Sequence, residues 1–427
     1  MIIVDTALAA RASAANPVKV VLSGAGFMGR RMTKQVSVVK GMEVAGVINR
    51  TVDKAVTNLE YAGYSDIVVT DDRAEAEAVI ARGGQVVTPD PDVLTTAHGV
   101  EVVIEATGVI ELGAKIALGA ISAGKHVVLD NAELDATVGP ILKVKADEAG
   151  VVITGIDGDE PAVAMNMIRL VRTMGLTPVL TGNIKGFMNR YRNPETQQGF
   201  AQQHGQDAAK VASFADGTKL AAEITMLSNA SGFRVSQRGM EGPELSDVKE
   251  VLDHWTDAEA LLARPTVDFI LGAAPGSGVF VVAYEDDRER RAAMNYLKMG
   301  PGPLHLFTRP FHLPHLEGPL SAARAVLFGD AAVTPSGAPI TDVAAVAKRD
   351  LVVGETLDGI GGFCCYGVVD DASTVVANGE LPMGLTPGAV VKRPVSIDTP
   401  LTYDDVELPE GSLAVELRQE QTKHFGL

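Results

Sequence analysis

The chain has 427 residues, of which 46% are hydrophobic and 21% are charged, so it can bury large cores and is not a disordered chain. At about 150 residues per domain, this length predicts two or three domains. The formal net charge of −17 makes the protein a poor non-specific binder of nucleic acid or of an anionic membrane. A local basic pocket for a small anion is compatible with that charge.

Cysteine usage and the N-terminal segment both predict a cytoplasmic location. Cys364 and Cys365 are adjacent, which suits neither an unstrained disulfide nor a metal site, so we expect two buried thiols. Asp5 and Arg11 interrupt the apolar stretch at the start of the chain, which is not typical of a signal peptide. The sequence contains no run of 18 apolar residues, so we expect no membrane span.

The first predicted elements are a helix and two strands. Residues 1–16 favour a short amphipathic helix that ends at the Asn16-Pro17 pair. Its apolar face would contain Ile2, Ile3, Leu8 and Ala9. The β-branched run VKVVLSG (18–24) predicts a buried parallel strand, and MEVAGVIN (42–49) predicts a second one after a helical segment.

A glycine-rich turn follows the first strand. It has the G-x-G-x-x-G pattern, which in a strand–turn–helix–strand context is typical of dinucleotide binding. Gly24 permits the tight turn, Gly26 lets the backbone approach a pyrophosphate, and Gly29 lets helix and strand pack closely. The helix N-terminus supplies N–H groups for the phosphates. The predicted cofactor-binding residues here are Gly24, Gly26, Phe27, Met28 and Gly29.

The end of the second strand indicates which dinucleotide is bound. An NAD site usually has an acidic residue there for the ribose hydroxyls, whereas this strand ends in Asn49 and Arg50. Asn49 can hydrogen-bond the ribose, and Arg50 can pair with a 2′-phosphate. We therefore predict NADPH as the cofactor, with Arg50 as a solvated surface residue the alternative.

The same α/β alternation continues to about residue 160. Residues 99–108 predict a strand whose end, Thr107-Gly108, would lie beside the nicotinamide ribose. A helix over 110–124 precedes a strand over 125–133, whose end carries Asn131 and Ala132 on the ligand face. The fold class is therefore α/β, with a Rossmann-like doubly wound parallel sheet in a dinucleotide-binding domain over residues 1–160.

The rest of the chain divides by composition. Residues 161–345 mix helices and strands less regularly and are predicted to form an α+β substrate-binding and oligomerisation domain. Within it we expect a strong helix over 216–229, a strand over 278–285 and a long loop from 302 that leads into a helix. From 346 to 427, glycines and prolines punctuate short apolar runs, which predicts a small β-rich domain.

These motifs carry a resemblance to a known family. GAGFMG, EATG and GKHVV followed by Asn131-Ala132 resemble the cofactor domain of the homoserine dehydrogenase superfamily. KRDLVVGETLDGIGG and VKRPVSIDTPLTYDDV resemble a SAF domain. Together with SFADGTK, RGMEGP and RPFHLPHLEGPLS, they are similar to predicted homoserine dehydrogenases with a C-terminal SAF domain, a group that includes the deoxyxylulose 5-phosphate reductoisomerase-like (DRL) enzymes.

This resemblance implies an NADPH-dependent reductoisomerase of isoprenoid precursor synthesis. It would convert 1-deoxy-D-xylulose 5-phosphate to 2-C-methyl-D-erythritol 4-phosphate, and related dehydrogenases imply a homodimer or a higher homo-oligomer. Homoserine dehydrogenases usually carry a lysine soon after GKHVV, whereas this chain has Asp130-Asn131-Ala132-Glu133. This charge reversal disfavours an aminobutyrate substrate.

Candidate catalytic residues lie at the end of one predicted strand and near the start of one predicted helix. Lys185 ends the predicted strand after residue 178, and Lys219 and Glu223 fall four apart on one helix face. The resemblance matches Asp216 and Lys219 to the Asp–Lys pair that faces substrate in homoserine dehydrogenases, with Asp207 and Lys210 as a rival placement. A partly desolvated lysine suits acid–base chemistry. An ordinary surface ion pair is the alternative.

Acidic and basic groups suggest further ligands. Asp157, Asp159 and Glu160 follow a core strand and suit Mg²⁺ or Mn²⁺, with Glu160 binding substrate hydroxyls or a solvated acidic turn as alternatives. A phosphate clamp requires cationic groups. The candidates are Arg190, Lys298, Arg309 and His312, with Arg238 as a further one.

The predicted partner is a small phosphorylated polyol or hydroxy acid. One alternative is an NADP-dependent dehydrogenase of homoserine or of another small hydroxy acid or sugar phosphate. A second is a ligand sensor that keeps the nucleotide fold without catalysis.

Overall fold

The computed structural model describes residues 2–427, with Ile2 described by its backbone alone. In residues 2–159 the helices are α1 Ile2–Ser13, α2 Phe27–Val38, α3 Val52–Ala62, α4 Arg73–Ala81, α5 Pro91–Thr96, α6 Ile110–Ser122 and α7 Ala132–Glu148. The strands there are β1 Val18–Ser23, β2 Met42–Ile48, β3 Ile67–Val69, β4 Gln85–Thr88, β5 Val102–Glu105, β6 His126–Leu129 and β7 Ile153–Gly155.

The remaining residues form ten more helices and eight more strands among those described. The helices are α8 Glu160–Thr173, α9 Pro194–His204, α10 Ala208–Ala215, α11 Thr218–Ser231, α12 Val251–His254, α13 Ala258–Ala263, α14 Arg288–Tyr296, α15 Pro314–Phe328, α16 Ala372–Ala377 and α17 Leu413–Phe425. The strands are β8 Thr177–Lys185, β9 Thr266–Leu271, β10 Val279–Tyr284, β11 Leu304–Arg309, β12 Thr341–Ala347, β13 Cys365–Asp371, β14 Val390–Val391 and β15 Val406–Glu407. Short 3₁₀ helices cover Val248–Glu250, Met383–Leu385 and Tyr403–Asp405.

The chain forms two compact units. Unit 1 contains residues 1–159, 313–334 and 412–424, and unit 2 contains residues 160–312, 335–411 and 425–427. The first change of unit falls at residue 160, beside the predicted boundary. The segments 313–334 and 412–424, which the sequence assigned to later domains, belong to unit 1, and the division into three domains stays a prediction.

Unit 1 has the predicted doubly wound parallel sheet. Its seven strands lie in the order β3-β4-β2-β1-β5-β6-β7, and all the pairs are parallel. Strand β1 is buried at nearly every position, because its β-branched residues pack on both faces of the sheet. The carboxyl ends of β1 and β5 are neighbours at the point where the strand order reverses, which is where such sheets bind ligands.

The N-terminal helix forms, but its buried face differs from the prediction. Val4 and Leu8 are buried in the core of unit 1, whereas Ile3 is 62% exposed. The prediction for Ile3 was therefore wrong, because positions 4 and 8 share a helix face that Ile3 does not. The predicted position of the Ile2 side chain lies outside the described part of the chain.

Unit 2 is built on a mixed sheet. Its strands lie in the order β11-β10-β8-β9, with β8 and β9 parallel and the other pairs antiparallel. Strand β11 falls inside the segment that we predicted as a loop, because His305, Thr308 and Arg309 interrupt its apolar residues. Small antiparallel pairs, β12-β13 and β14-β15, form the β-rich C-terminal part that the sequence predicted.

The two cysteines are buried and reduced, as predicted. Burial raises the pKa of Cys364 to about 11 and raises the pKa of Cys365 as well. Since the thiolate is the reactive form, these thiols are inert packing groups. Among residues 2–427, no helix has the length and apolar composition that a membrane crossing requires.

Candidate active site

The glycine turn of unit 1 has the close approaches that the motif requires. Gly24 has a φ of +99°, and a Cβ there would lie 2.7 Å from the carbonyl oxygen of Ala106. A Cβ on Gly29 would collide with the carbonyl oxygen of Gly24. Around Gly26, by contrast, a Cβ would meet no atom within 4 Å. The turn is therefore tight against the protein and open at the N-terminus of α2, where Phe27 and Met28 begin the helix and an anion can bind.

Asn49 and Arg50 follow β2 next to this turn. The Oδ1 atom of Asn49 accepts a hydrogen bond from the Ala25 N–H at 3.0 Å, and its Nδ2 atom donates to the Thr51 carbonyl at 2.7 Å. Asn49 thus ties the glycine turn to the end of β2. Arg50 is exposed, so its guanidinium is accessible to a phosphate in solution. The predicted roles of both residues toward the cofactor stay predictions.

Glu105, at the end of β5, connects the other two predicted cofactor segments. Its Oε1 atom accepts the Thr107 N–H at 2.7 Å and also the Thr107 hydroxyl. Its Oε2 atom accepts from Asn131 Nδ2 at 3.0 Å. Asn131 in turn caps α7 through the Leu134 N–H, so it orients the helix start at Ala132. Glu105 was not among the predicted site residues, although it is the first residue of the EATG motif.

In unit 2 the structure brings together a set of buried and half-buried charged and amide side chains. We call it the charged cluster; its members are Glu160, Asn183, Lys185, Lys219, Glu223 and His312. Four of these, Glu160, Lys185, Lys219 and His312, were predicted as site residues. Asn183 was missed, and Glu223 was noticed only as an ion-pair partner of Lys219.

Lys185 is the centre of the charged cluster. Its Nζ atom contacts Glu160 Oε2 closely and lies 3.2 Å from Glu223 Oε2. Asn183 Nδ2 donates to the same two oxygens, at 3.1 Å each. Lys219 Nζ lies 3.5 Å from Glu223 Oε1. Two carboxyl groups therefore share one lysine, with a second lysine at one end.

Local structure explains how these side chains meet. Asn183 and Lys185 are two residues apart on β8, so they project from the same face of the sheet. Lys219 and Glu223 lie one helical turn apart on α11. Glu160 follows β7 and begins α8. His312 completes the group, with Nδ1 lying 3.7 Å from Glu160 Oε1.

The pKa values of the two carboxyl groups are shifted in opposite directions. Burial raises the pKa of Glu160 well above its usual value, and the Glu223 carboxylate adds to this although Lys185 opposes it. Burial also acts to raise the pKa of Glu223, but Lys185 and Lys219 outweigh it and lower that pKa. Burial acts to lower the pKa of Lys185, yet both glutamates raise it above its usual value. Glu160 therefore holds a proton more tightly than Glu223 does, and Lys185 stays cationic near neutral pH.

Asp216 is not part of the charged cluster. Its Oδ2 atom accepts from Lys348 Nζ at 2.8 Å, and its Oδ1 atom accepts from the Thr218 N–H. Gly217, with a φ of +89°, follows Asp216 directly and occupies the N-cap position of α11. Burial raises the pKa of Asp216, although Lys348 acts to lower it. The pair fixes the start of the helix that carries Lys219.

The predicted phosphate groups are dispersed. Arg309 ends β11 opposite Val279, at the same end of the sheet as Lys185, because Val279 also pairs with Asn183. Lys298 precedes β11 at the other end, since Leu304, the first residue of β11, pairs with Tyr284 at the far end of β10. Arg190 is exposed, with its guanidinium 5.6 Å from the Tyr366 ring. The structure thus separates Lys298 from the charged cluster.

A further candidate, Arg238, is engaged elsewhere. Its Nη1 atom donates to Asp370 at 3.1 Å and to Glu380 at 2.9 Å. This ion pair connects the loop before β9 to the β-rich part of unit 2. An arginine held by two carboxylates is already neutralised and is a poor phosphate ligand.

Asp157 and Asp159 do not form the predicted metal site. The two carboxylate oxygens of Asp157 accept from Arg324 Nη1 at 2.9 and 3.1 Å, and Ser321 donates to one of them. Among residues 2–427, no group of three His, Cys, Asp or Glu side chains is arranged to hold a metal ion. The donor set does not fit Mg²⁺ or Mn²⁺, so we derive no step through a metal.

Comparison with known proteins identifies the kind of enzyme. Residues 158–318 match the family "Oxidoreductase DRL, catalytic domain", and this segment contains every member of the charged cluster. No curated protein matched the sequence. The match and the glycine turn define the chain as an NAD(P)-dependent oxidoreductase. Residues 158–318 are thus similar to the catalytic domain of the DRL oxidoreductases.

Solved structures show only distant similarity. A myo-inositol dehydrogenase from Corynebacterium glutamicum is 8% identical, covering 73% of this chain and 89% of its own, with a TM-score of 0.43. A probable dehydrogenase from Thermotoga maritima is 12% identical, covering 63% and 73%, with a TM-score of 0.39. A biliverdin reductase from Synechocystis, solved with biliverdin and NADP⁺, is 16% identical, covering 46% and 57%, with a TM-score of 0.29. At these TM-scores, the similarities carry no argument about this chain.

Proposed function

We propose that the protein is an NADPH-dependent reductoisomerase that converts 1-deoxy-D-xylulose 5-phosphate to 2-C-methyl-D-erythritol 4-phosphate. The observation that carries this proposal is the charged cluster, which lies entirely within the segment that matches the DRL catalytic domain. The family resemblance supplies the substrate, and the charges of the cluster support it.

The net charge of the cluster suits an anionic reaction centre. Two ammonium groups, Lys185 and Lys219, face the Glu223 carboxylate, whose pKa is lowered, while the raised pKa of Glu160 favours its protonated form. The excess positive charge stabilises negative charge that develops on a ketone or hydroxyl oxygen. The same charge attracts a phosphorylated substrate to a protein whose net charge is −17.

We assign a separate role to each side chain. Lys185 polarises the substrate carbonyl, since its raised pKa keeps it cationic and a donor. The neutral Glu160 donates a proton to the oxygen that becomes a hydroxyl. Glu223 orients Lys185 by direct contact. Asn183 supports this orientation by donating to the Glu160 and Glu223 oxygens that Lys185 also contacts. Arg309, at the Lys185 end of the sheet, is our candidate for binding the substrate phosphate.

The cofactor residues of unit 1 fit NADPH. The N-terminus of α2 is open at Gly26 and would bind the pyrophosphate, and the exposed Arg50 would bind the 2′-phosphate. When bound, the nicotinamide supplies the hydride. The reaction balances in two parts. The rearrangement breaks the C3–C4 bond of the substrate and forms a C2–C4 bond in the same molecule, while the C3 hydroxyl proton passes to the C2 oxygen and C3 becomes an aldehyde. The aldehyde carbon would then gain the hydride and its oxygen the Glu160 proton, with NADPH converted to NADP⁺.

Turnover of candidate substrates tests the proposal directly. We expect the purified protein to oxidise NADPH with 1-deoxy-D-xylulose 5-phosphate and to form 2-C-methyl-D-erythritol 4-phosphate, identified by mass spectrometry. Turnover of homoserine alone would replace the proposal with an NADP-dependent dehydrogenase. NADPH binding without turnover of any substrate tried would favour a ligand sensor.

Variants of the charged cluster test the assigned roles. Lys185→Met keeps the length of the side chain but removes its charge, so we expect kcat to fall by about 10²- to 10⁴-fold. In the wild type we expect the rate to fall at alkaline pH as Glu160 loses its proton. Glu160→Gln has no titrating carboxyl group, so this fall should disappear in the variant. The exposed Lys249 of unit 2 provides the matched control, Lys249→Met, which should keep the wild-type rate. Equal rates for Lys185→Met and the wild type would refute the assignment.

A further inference from the structure

Glu105 is a fully buried carboxylate at the carboxyl end of β5. It is 0% exposed and pairs in register with Ser23 of β1 on one side and with Leu129 of β6 on the other. Helix α6 packs directly against it, since a Cβ on Gly113 would lie 3.0 Å from its carboxyl carbon. A charged group at such a site is costly to bury unless hydrogen bonds compensate it.

Three donors converge on this carboxylate. The Thr107 N–H and hydroxyl bind Oε1, and Asn131 Nδ2 binds Oε2. The Thr107 hydroxyl oxygen also accepts the Val109 N–H at 3.2 Å, at the start of α6. Glu105 therefore sets the conformation of the loop after β5 and of the loop after β6 at the same time.

The sheet topology gives these two loops a common purpose. β1 and β5 lie side by side where the strand order reverses, and the loops at their carboxyl ends border the crevice that binds dinucleotides in such sheets. We propose that Glu105 is a positioning residue that holds Thr107-Gly108 and Asn131 in place for the nicotinamide half of NADPH. This inference rests on the cofactor named in the proposed function.

The pattern of donors requires a carboxylate. A glutamine at position 105 has one acceptor oxygen, so turning that oxygen toward Thr107 points its NH₂ group at the NH₂ group of Asn131. Flipping the Asn131 amide would remove this clash but would lose the bond from the Leu134 N–H that caps α7. One donor or acceptor is therefore left without a partner in Glu105→Gln.

Ligand titration separates positioning from general damage. We expect Glu105→Gln to weaken NADPH binding by about tenfold, because a loop anchor is lost. The probe 2′,5′-ADP has no nicotinamide half, so its affinity should stay at the wild-type value. Asp135→Asn is the matched control, because Asp135 is another buried carboxyl of unit 1 that makes no side-chain bond to these loops. It should bind NADPH as the wild type does.

A reversed pair provides the second test, in which Glu105→Gln is combined with Asn131→Asp. The amide oxygen introduced at position 105 then accepts from Thr107, and the NH₂ group of the same amide donates to the carboxylate introduced at position 131. The other oxygen of that carboxylate still caps α7. We expect this double variant to recover most of the lost NADPH affinity. Recovery would support the inference, and a double variant as weak as Glu105→Gln would overturn it.

The outcomes distinguish this inference from the proposed function. Failure of the wild-type protein to bind NADPH would remove the proposed function itself. Normal NADPH binding by a folded Glu105→Gln variant would overturn the role of Glu105 alone. Equal loss of NADPH and 2′,5′-ADP affinity would also overturn it, because such a loss indicates damage to the whole site.

Discussion

Buried carboxyl groups in this protein differ in their chemistry because their neighbours differ. Glu160 and Glu223 share Lys185, and the pKa of Glu160 is raised while that of Glu223 is lowered. Asp157 is neutralised by Arg324, so it supports the fold instead of binding a metal. In Asp135 burial alone acts, and it raises the pKa to about 7.

The raised pKa of Asp135 makes the stability of unit 1 depend on pH. This contribution is most favourable below pH 3.8, where the unfolded side chain is also protonated, and it is lost as the pH rises through 7. Asp135→Asn removes the titration, so its advantage over the wild type should grow by about 3 kcal/mol between pH 5 and pH 8. Denaturant unfolding at the two pH values measures this difference. A gap that is the same at both would show that Asp135 does not titrate in this range.

Arg50 should determine the preference for the phosphorylated cofactor. It is exposed directly after β2, where the ribose of a dinucleotide binds in such folds. Arg50→Ala should weaken NADPH binding by about 10- to 100-fold and leave NADH binding nearly unchanged, because only NADPH has the 2′-phosphate. Fluorescence titration with both cofactors checks this. An equal loss for the two would place the effect elsewhere in the site.

At the scale of elements, helix α7 depends on the C-terminal helix α17. Pro140 lies inside α7, and the N–H of the next residue, Ile141, donates to Gln421 Oε1 at 3.2 Å. Arg418 Nη1 donates to the Thr137 carbonyl at 3.1 Å, which is the usual helical partner of that N–H. Two side chains one turn apart on α17 thus bind the backbone of α7 on either side of Pro140.

Removing one of these side chains should destabilise unit 1. Gln421→Leu leaves the buried Ile141 N–H without its acceptor, which costs about 1–3 kcal/mol in the free energy of unfolding. Gln419→Leu changes an exposed residue of the same helix and is the matched control. Chemical unfolding of both variants provides the measurement. Equal stabilities would mean that α7 does not need this contact.

At the scale of the whole molecule, cofactor binding should raise thermal stability. A ligand that binds only the folded state at a hundredfold excess over Kd adds about 2.7 kcal/mol. For a unit of this size, we expect NADPH to raise the melting temperature by about 5 °C or more, and NADH to have a smaller effect at the same concentration. Differential scanning fluorimetry tests this. An unchanged melting temperature with NADPH would contradict the assignment of unit 1 as its binding domain.

Sequence patterns alone predict the parallel sheet of unit 1, the glycine turn and the positions of Lys185 and Lys219 at element ends. These features depend on local patterns, namely β-branched runs, glycine spacing and residues four apart on a helix. The match of residues 158–318 to an oxidoreductase catalytic domain also follows from sequence.

Which charged residues contact one another becomes visible only in the folded protein. Asp216 pairs with Lys348, Asp157 with Arg324 and Glu105 with Asn131, and each pair joins residues that are far apart in the chain. The tertiary structure also placed Glu223 beside Lys185 and moved Lys298 to the opposite end of the sheet. The reason is physical: burial and long-range pairing set the charge and the partners of an ionisable side chain, and neither is encoded in the residues next to it.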